Sequence, residues 1–110
     1  MILPNADKAV VPIEKLTEYS LNTKHPRGGG KAIVFTSLLG WSIKDSPKLK
    51  EILLHVVQTK DAVVHSQDEY GIHYRIDFPL KGRNTTITVR SIWIIRKGEN
   101  FPRLSTCYIK

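Results

Sequence analysis

Read from the N-terminus, the chain changes its hydrophobic period once, near Thr59. Before that point apolar residues recur every third or fourth position, the period of a helix face; after it they recur every second position, the period of a strand. Met1 to Val11 reads as an extended arm with Ala9-Val10-Val11 turned inward. Pro12 suits a first helical turn, and Ile13, Leu16 and Tyr19 or Ser20 carry that helix to about Leu21. A loop from Asn22 to Gly30 follows, then a second helix from Lys31 to Leu39 with Ala32, Phe35 and Leu39 on one face. Gly40 is placed as its left-handed C-terminal residue. A third helix has Asp45 or Ser46 as its cap, Pro47 in its first turn and Leu49, Ile52, Leu53 and Val56 on its apolar stripe. His55 lies beside that stripe and is expected to be partly packed.

The second half predicts four strands. Ala62 to His65 is a short one, and Gln67 to Gly71 is a turn. Ile72, Tyr74, Ile76 and Phe78 then alternate with His73, Arg75 and Asp77, which describes a strand with one buried face. Pro79 to Asn84 is expected to turn. Thr85 to Arg96 is the longest strand; Ile92-Trp93-Ile94-Ile95 is apolar on both faces and belongs at the centre of a sheet. A turn at Lys97 to Asn100 leads to the last strand, Arg103 to Ile109. Connections this short join antiparallel neighbours. The prediction is therefore an α+β fold, one domain over 1–110, with N-terminal helices (about 8–58) packed on one face of a four-stranded antiparallel meander (about 61–109).

Composition narrows what such a domain can do. With 110 residues and 41% apolar content it can build a core without disulfide or metal support. Seventeen Lys and Arg against ten Asp and Glu give a formal net charge of +7 and a pI of about 9.7, which favours a polyanionic partner such as nucleic acid. Positive charge is spread along the chain with no basic amphipathic helix, so a membrane surface is not the expected partner. Cys107 is the single cysteine, which excludes an internal disulfide and argues against structural zinc. There is no signal-like or membrane-spanning run, and a cytoplasmic site of action is expected.

The segment His25-Pro26-Arg27-Gly28-Gly29-Gly30-Lys31 concentrates one titratable group, two cations and three glycines. Consecutive glycines let backbone N–H groups approach a ligand, and the first turn of a following helix offers unpaired N–H groups to an anion. A flexible connector has the same composition. The segment is not a nucleotide P-loop, which has Gly where His25 stands and Ser or Thr where Ala32 follows the Lys. Consecutive glycines with no strand leading into them also exclude a dinucleotide fingerprint.

Alternation sorts the strand residues. Thr86, Thr88 and Arg90 share one face, Ile87, Val89, Ser91 and Trp93 the other; Leu104, Thr106 and Tyr108 share a face opposite Arg103, Ser105 and Cys107. Arg90 stands in the middle of a central strand, where a cation requires an ion pair or an opening onto a ligand. Carboxylates are not clustered as magnesium would need, and no serine lies in a nucleophile elbow. His25, Lys31, Arg90, Thr106 and Tyr108 suit phosphodiester chemistry without a metal. In RNA the 2′-hydroxyl is an internal nucleophile, so the protein has to provide a general base, a general acid and cations for the phosphorane.

Ala6-Asp7-Lys8-Ala9-Val10-Val11-Pro12, Lys15-Leu16 with Tyr19, Leu21-Asn22 through His25-Pro26, Lys31-Ala32 with Phe35, Leu39-Gly40, Val89-Arg90 with Trp93, and Pro102-Arg103-Leu104 with Thr106 and Tyr108 together resemble a bacterial domain family of uncharacterised function. That family occurs as a small free-standing protein and as the C-terminal module of polymorphic toxins, contact-dependent growth inhibition proteins among them. Related modules are similar to the barnase, EndoU, colicin D and RelE group of metal-independent ribonucleases, which place two helices before a four-stranded antiparallel sheet.

The resemblance implies a toxin that cleaves tRNA or another structured RNA to a 2′,3′-cyclic phosphate, with no cofactor and no metal. It implies His25, Lys31, Arg90, Thr106 and Tyr108 as catalytic residues and Arg27, Arg103 and Trp93 as RNA contacts. RNA and a cognate antitoxin or immunity protein, acidic in character, are the expected partners. A non-catalytic nucleic-acid-binding module and the neutralising member of a toxin–antitoxin pair are the alternatives.

Overall fold

Trp93 sets the packing order of this domain. Its ring is fully buried at the centre of the sheet, on the face against which the helical half of the chain packs. The structure, a computed structural model, describes residues 1–22, 33–82 and 84–110; the predicted glycine-rich segment, with His25, Arg27 and Lys31, lies outside them.

Four strands, β1 (Val63–Asp68), β2 (Gly71–Lys81), β3 (Thr86–Arg96) and β4 (Arg103–Ile109), form one antiparallel sheet in the order β1-β2-β3-β4. The α+β meander expected from the alternation is thus present, and the central place of β3 follows from it. The helical half is leaner than predicted. Among the described residues one regular α-helix forms, α1 (Ser46–Thr59). The first predicted helix is helical from Glu14 and widens over Leu16–Ser20, where the Leu21 N–H reaches back five residues to the Leu16 carbonyl at 2.9 Å. Of the second, Lys31 and Ala32 lie outside the described residues; from Ile33 the backbone is helical, widens over Phe35–Leu39 and closes on Gly40, whose φ of 71° is the expected left-handed C-terminal conformation.

Helix α1 begins as its sequence directs, with Pro47 in the first turn and Asp45 at the cap position. The Asp45 carboxylate, however, accepts the Ser42 N–H at 2.8 Å and so caps the preceding short turn, Ile43–Asp45. Leu49, Leu53, Val56 and Val57 bury the stripe against Ile76, Phe78, Val89 and Leu104 of the sheet. His55 does not join them; it is exposed on the outer side of α1. At the N-terminus the arm curls through a turn at Ala6–Lys8, buries Leu3, Ala6 and Val11, and meets the β4 edge by a parallel bridge from Val10 to Arg103.

Two local features depart from strict alternation. The predicted turn at Pro79 is strand, since β2 runs to Lys81 with Pro79 opposite Thr88. A proline is tolerated there because β1 pairs no further along β2 than Arg75, leaving that part of β2 at an edge where a missing N–H breaks no ladder. The register of β4 also shifts, since Ile92 pairs with Thr106 but Trp93 with Leu104. Ser105 is the extra residue of a bulge, so Leu104 faces the core together with Cys107 instead of sharing a face with Thr106 and Tyr108. Cys107 is held there by Ser20, whose hydroxyl donates to its carbonyl at 2.9 Å, and burial pushes the thiol up to about 11.

Two turn glycines should respond differently to a methyl group. At Gly98 (φ 82°) nothing lies within 4 Å of an added Cβ, whereas at Gly71 (φ 154°) it would meet the Ile95 carbonyl oxygen at 2.2 Å. Gly98→Ala is expected to cost only the left-handed penalty, about 1–2 kcal/mol. Gly71→Ala should cost more, because backbone must move; urea unfolding of the two variants checks the order.

Candidate functional site on the outer sheet face

The register assigns each strand residue to a face. Ile76 and Phe78 of β2, Val89, Ser91 and Trp93 of β3, and Leu104 and Cys107 of β4 belong to the core side. The outer face therefore carries three cross-strand rows: Asp77, Arg90 and Tyr108; Arg75, Ile92 and Thr106; His73, Ile94 and Arg103. Ile92 and Ile94 are only 6% and 9% exposed although they face away from the core. The long polar side chains that the register places on either side of them shield them, an arrangement in which aliphatic stems cover the floor while charged ends stay wet. The site is a polar rim around an apolar floor.

In the first row, Arg90 donates through Nε to Asp77 Oδ1 at 2.9 Å and through Nη2 to Oδ2 at 3.0 Å, a bidentate pair between directly opposed residues. Lys110 adds a longer contact to Asp77 Oδ2 at 3.5 Å. The Arg90 hydrogen bonds hold the Asp77 carboxyl below the ordinary carboxylate range, with Lys110 assisting. The same bonds raise Arg90, and Tyr108 on its other side adds to this. Of the two roles open to Arg90 in the sequence, the ion pair is the one that the geometry displays.

Of the remaining sequence candidates, Thr106 and Tyr108 do share this face with Arg90, and both are half-buried. Arg103 stands on it too, forked onto Glu99 at 2.9 and 2.8 Å with its guanidinium 5.0 Å from the centre of the Phe101 ring. Trp93 does not belong to the surface. It is 0% exposed, and its indole N–H donates to Ser91 Oγ at 2.9 Å, so it serves the core and is removed from the expected RNA contacts. His25, Arg27 and Lys31 lie outside the described residues.

Two members of the face were present in the alternation of β2 but not singled out by it. Arg75 forms no ion pair among the described residues and lines a shallow recess of about 250 Å³ with Asp61, Val63 and Asp77. His73 is hydrogen-bonded at 2.8 Å to Asp68 Oδ2. The signal was the polar phase of the strand, which reads as an ordinary solvated face until the partners of each residue are known. Among the described residues no three His, Cys, Asp or Glu side chains gather as a metal site would require, and no helix is long and apolar enough to cross a membrane.

Fold and site together define a small basic α+β domain with a cationic, hydroxyl-bearing sheet face. The chain belongs to the family described as Domain of unknown function (DUF6883), whose profile matches residues 2–110. No curated protein and no solved structure matches it.

Asp77 gives the face a measurable pH dependence. Its folded value is depressed below the ordinary 3.8, so the pair contributes stability above the unfolded carboxylate value, and that contribution is lost as pH falls below about 4. Asp68, lowered chiefly by the Tyr70 N–H and next by His73, acts in the same direction. Asp77→Asn should therefore reduce the difference in urea midpoint between neutral and strongly acidic solution, and Asp68→Asn together with it should reduce that difference further.

Proposed function

We propose that this domain is a small bacterial toxin acting in the cytoplasm as a metal-independent endoribonuclease on tRNA or another structured RNA. The observation that carries the reading is the outer sheet face, where Arg75, Arg90, Thr106 and Tyr108 stand in adjacent rows above Ile92. A partly dehydrated guanidinium attracts a phosphate more strongly than a fully solvated one, and the net charge of +7 draws a polyanion toward it. Arg75 has no carboxylate partner among the described residues, so it can take the phosphate without first giving up an ion pair.

On this reading the 2′-hydroxyl of the RNA attacks the adjacent phosphorus, the bond to the 5′ oxygen breaks, and the products are a 2′,3′-cyclic phosphate and a 5′-hydroxyl. Arg75 and Arg90 stabilise the phosphorane charge. Thr106 and Tyr108 position the phosphate by their hydroxyls. His25 as acid or base, Lys31 as a further cation and Arg27 as an RNA contact are the contributions that the family resemblance adds. An acidic antitoxin or immunity protein covers the same face.

One feature favours a second reading. Asp77 occupies both Nε and Nη2 of Arg90, which leaves that guanidinium less to offer a phosphorane and suits a module that binds nucleic acid without cleaving it. The two separate in one experiment, in which purified protein is incubated with total RNA in EDTA and the new ends are mapped. Cleavage to cyclic-phosphate ends is the expected outcome, with Arg75→Ala and Tyr108→Phe each lowering the rate by about tenfold to a thousandfold. Tight, salt-dependent binding with every RNA left intact would establish the binding module instead.

A further inference from the structure

The β1–β2 hairpin holds a carboxylate and an imidazole in an arrangement that the folding of the turn does not by itself require. Asp68 Oδ1 accepts the backbone N–H groups of Tyr70 at 2.9 Å and Gly71 at 3.2 Å, which closes the turn. That leaves Oδ2 for the His73 ring, whose Nε2 lies 2.8 Å away. An ionised Asp68 can only accept, so Nε2 carries the hydrogen, and in the neutral ring the lone pair is then on Nδ1. The side chain is 17% exposed, and the strand register sets it on the outer face in the row of Ile94 and Arg103, two residues from Arg75. Residues two apart on a strand are spaced by about 7 Å on the same face, a gap that the long arginine side chain can span.

We propose that His73, in place of the His25 that the family resemblance offers for the role, is the catalytic base of this site, oriented by Asp68, and that it acts on the 2′-hydroxyl of a single-stranded stretch of RNA whose phosphate is held by Arg75. The inference rests on the ribonuclease reading. The 2′-hydroxyl proton passes to Nδ1 of His73 as the 2′ oxygen bonds to phosphorus. The bond from phosphorus to the 5′ oxygen then breaks, that oxygen takes a proton from water, and the imidazolium returns its proton to the hydroxide so formed. Asp68 keeps the ring in one tautomer and one orientation. Tyr70, in the same turn, is 67% exposed; a base flanking the cleaved bond stacks on it. The charged groups around His73 are Asp68 on one side, Arg75 along its own strand, and Arg103 with its partner Glu99 toward β4.

The test compares wild type, His73→Ala, His73→Gln and Asp68→Asn on a structured RNA in EDTA, with cyclic-phosphate ends counted across acidic to alkaline pH and folding verified by thermal unfolding. In the wild type kcat rises with pH through the titration of one group. His73→Ala and His73→Gln should lower kcat by about a hundredfold or more, abolish that rise and regain rate when imidazole is added. Asp68→Asn should keep the rise but displace it, with a smaller loss. Tyr70→Ala should raise KM and spare kcat. If the wild type cleaves while both folded His73 variants keep its kcat and pH profile, the assignment of His73 is overturned and the ribonuclease reading stands. If the wild type leaves all RNA intact, both are overturned together.

Discussion

Burying an indole is favourable only when its N–H finds an acceptor, and in this domain the rest of the sheet follows from how that is done. Trp93 donates to Ser91 Oγ at 2.9 Å, and Ser91 donates in turn to the Ile76 carbonyl at 2.8 Å. The relay stays within the core face and leaves no buried side-chain polar atom unpartnered among the described residues. Because alternate residues of β3 face opposite ways, fixing Trp93 and Ser91 inward turns Arg90, Ile92 and Ile94 outward. A one-residue slip would bury Arg90 and expose Trp93, so the core chemistry and the site chemistry are locked by the same register.

Much of this was legible from residue types alone. The change of period near Thr59, the central place of β3, the turn glycine at position 40 and the first turn of α1 are local signals, and each is decided by a few neighbouring residues. What escaped depends on the partner across the sheet. The bulge at Ser105 reverses the facing of Leu104 because β4 must bring both Leu104 and Cys107 to the core, and nothing in Arg103-Leu104-Ser105-Thr106 announces that. Pro79 punctuates a sequence as a turn but is harmless at an edge, and whether it lies at an edge is set by how far β1 runs. His55 sits next to an apolar stripe in the sequence, yet the helix rotates it outward.

The candidate site divides along the same line. That Arg90, Thr106 and Tyr108 meet was derivable from alternation, and the strands do bring them together. That Trp93 could not meet RNA depended on its partner Ser91, two residues away on the same side of one strand, a pairing that gives a large aromatic residue a structural task. Arg75 and His73 are hard to read in the sequence for the opposite reason. Their polar alternation resembles any solvated strand face, and they become informative only through their partners: Arg75 forms no ion pair among the described residues, and His73 is held by Asp68.

The formal charge of +7 overstates what this face offers a polyanion. Asp77 neutralises much of Arg90, and Glu99 does the same for Arg103, each through a forked pair in which both carboxylate oxygens are taken. An incoming phosphate must compete with those carboxylates, and exchanging one anion for another gains little unless the new one reaches further donors as well. Arg75, Thr106 and Tyr108 lie in the rows beside these pairs, so a phosphate placed between rows meets one unpaired cation and two hydroxyls while the Arg90–Asp77 fork stays closed. In that arrangement the fork fixes where Tyr108 stands, Arg75 meets the phosphate directly, and Arg90 adds its charge while still paired with Asp77.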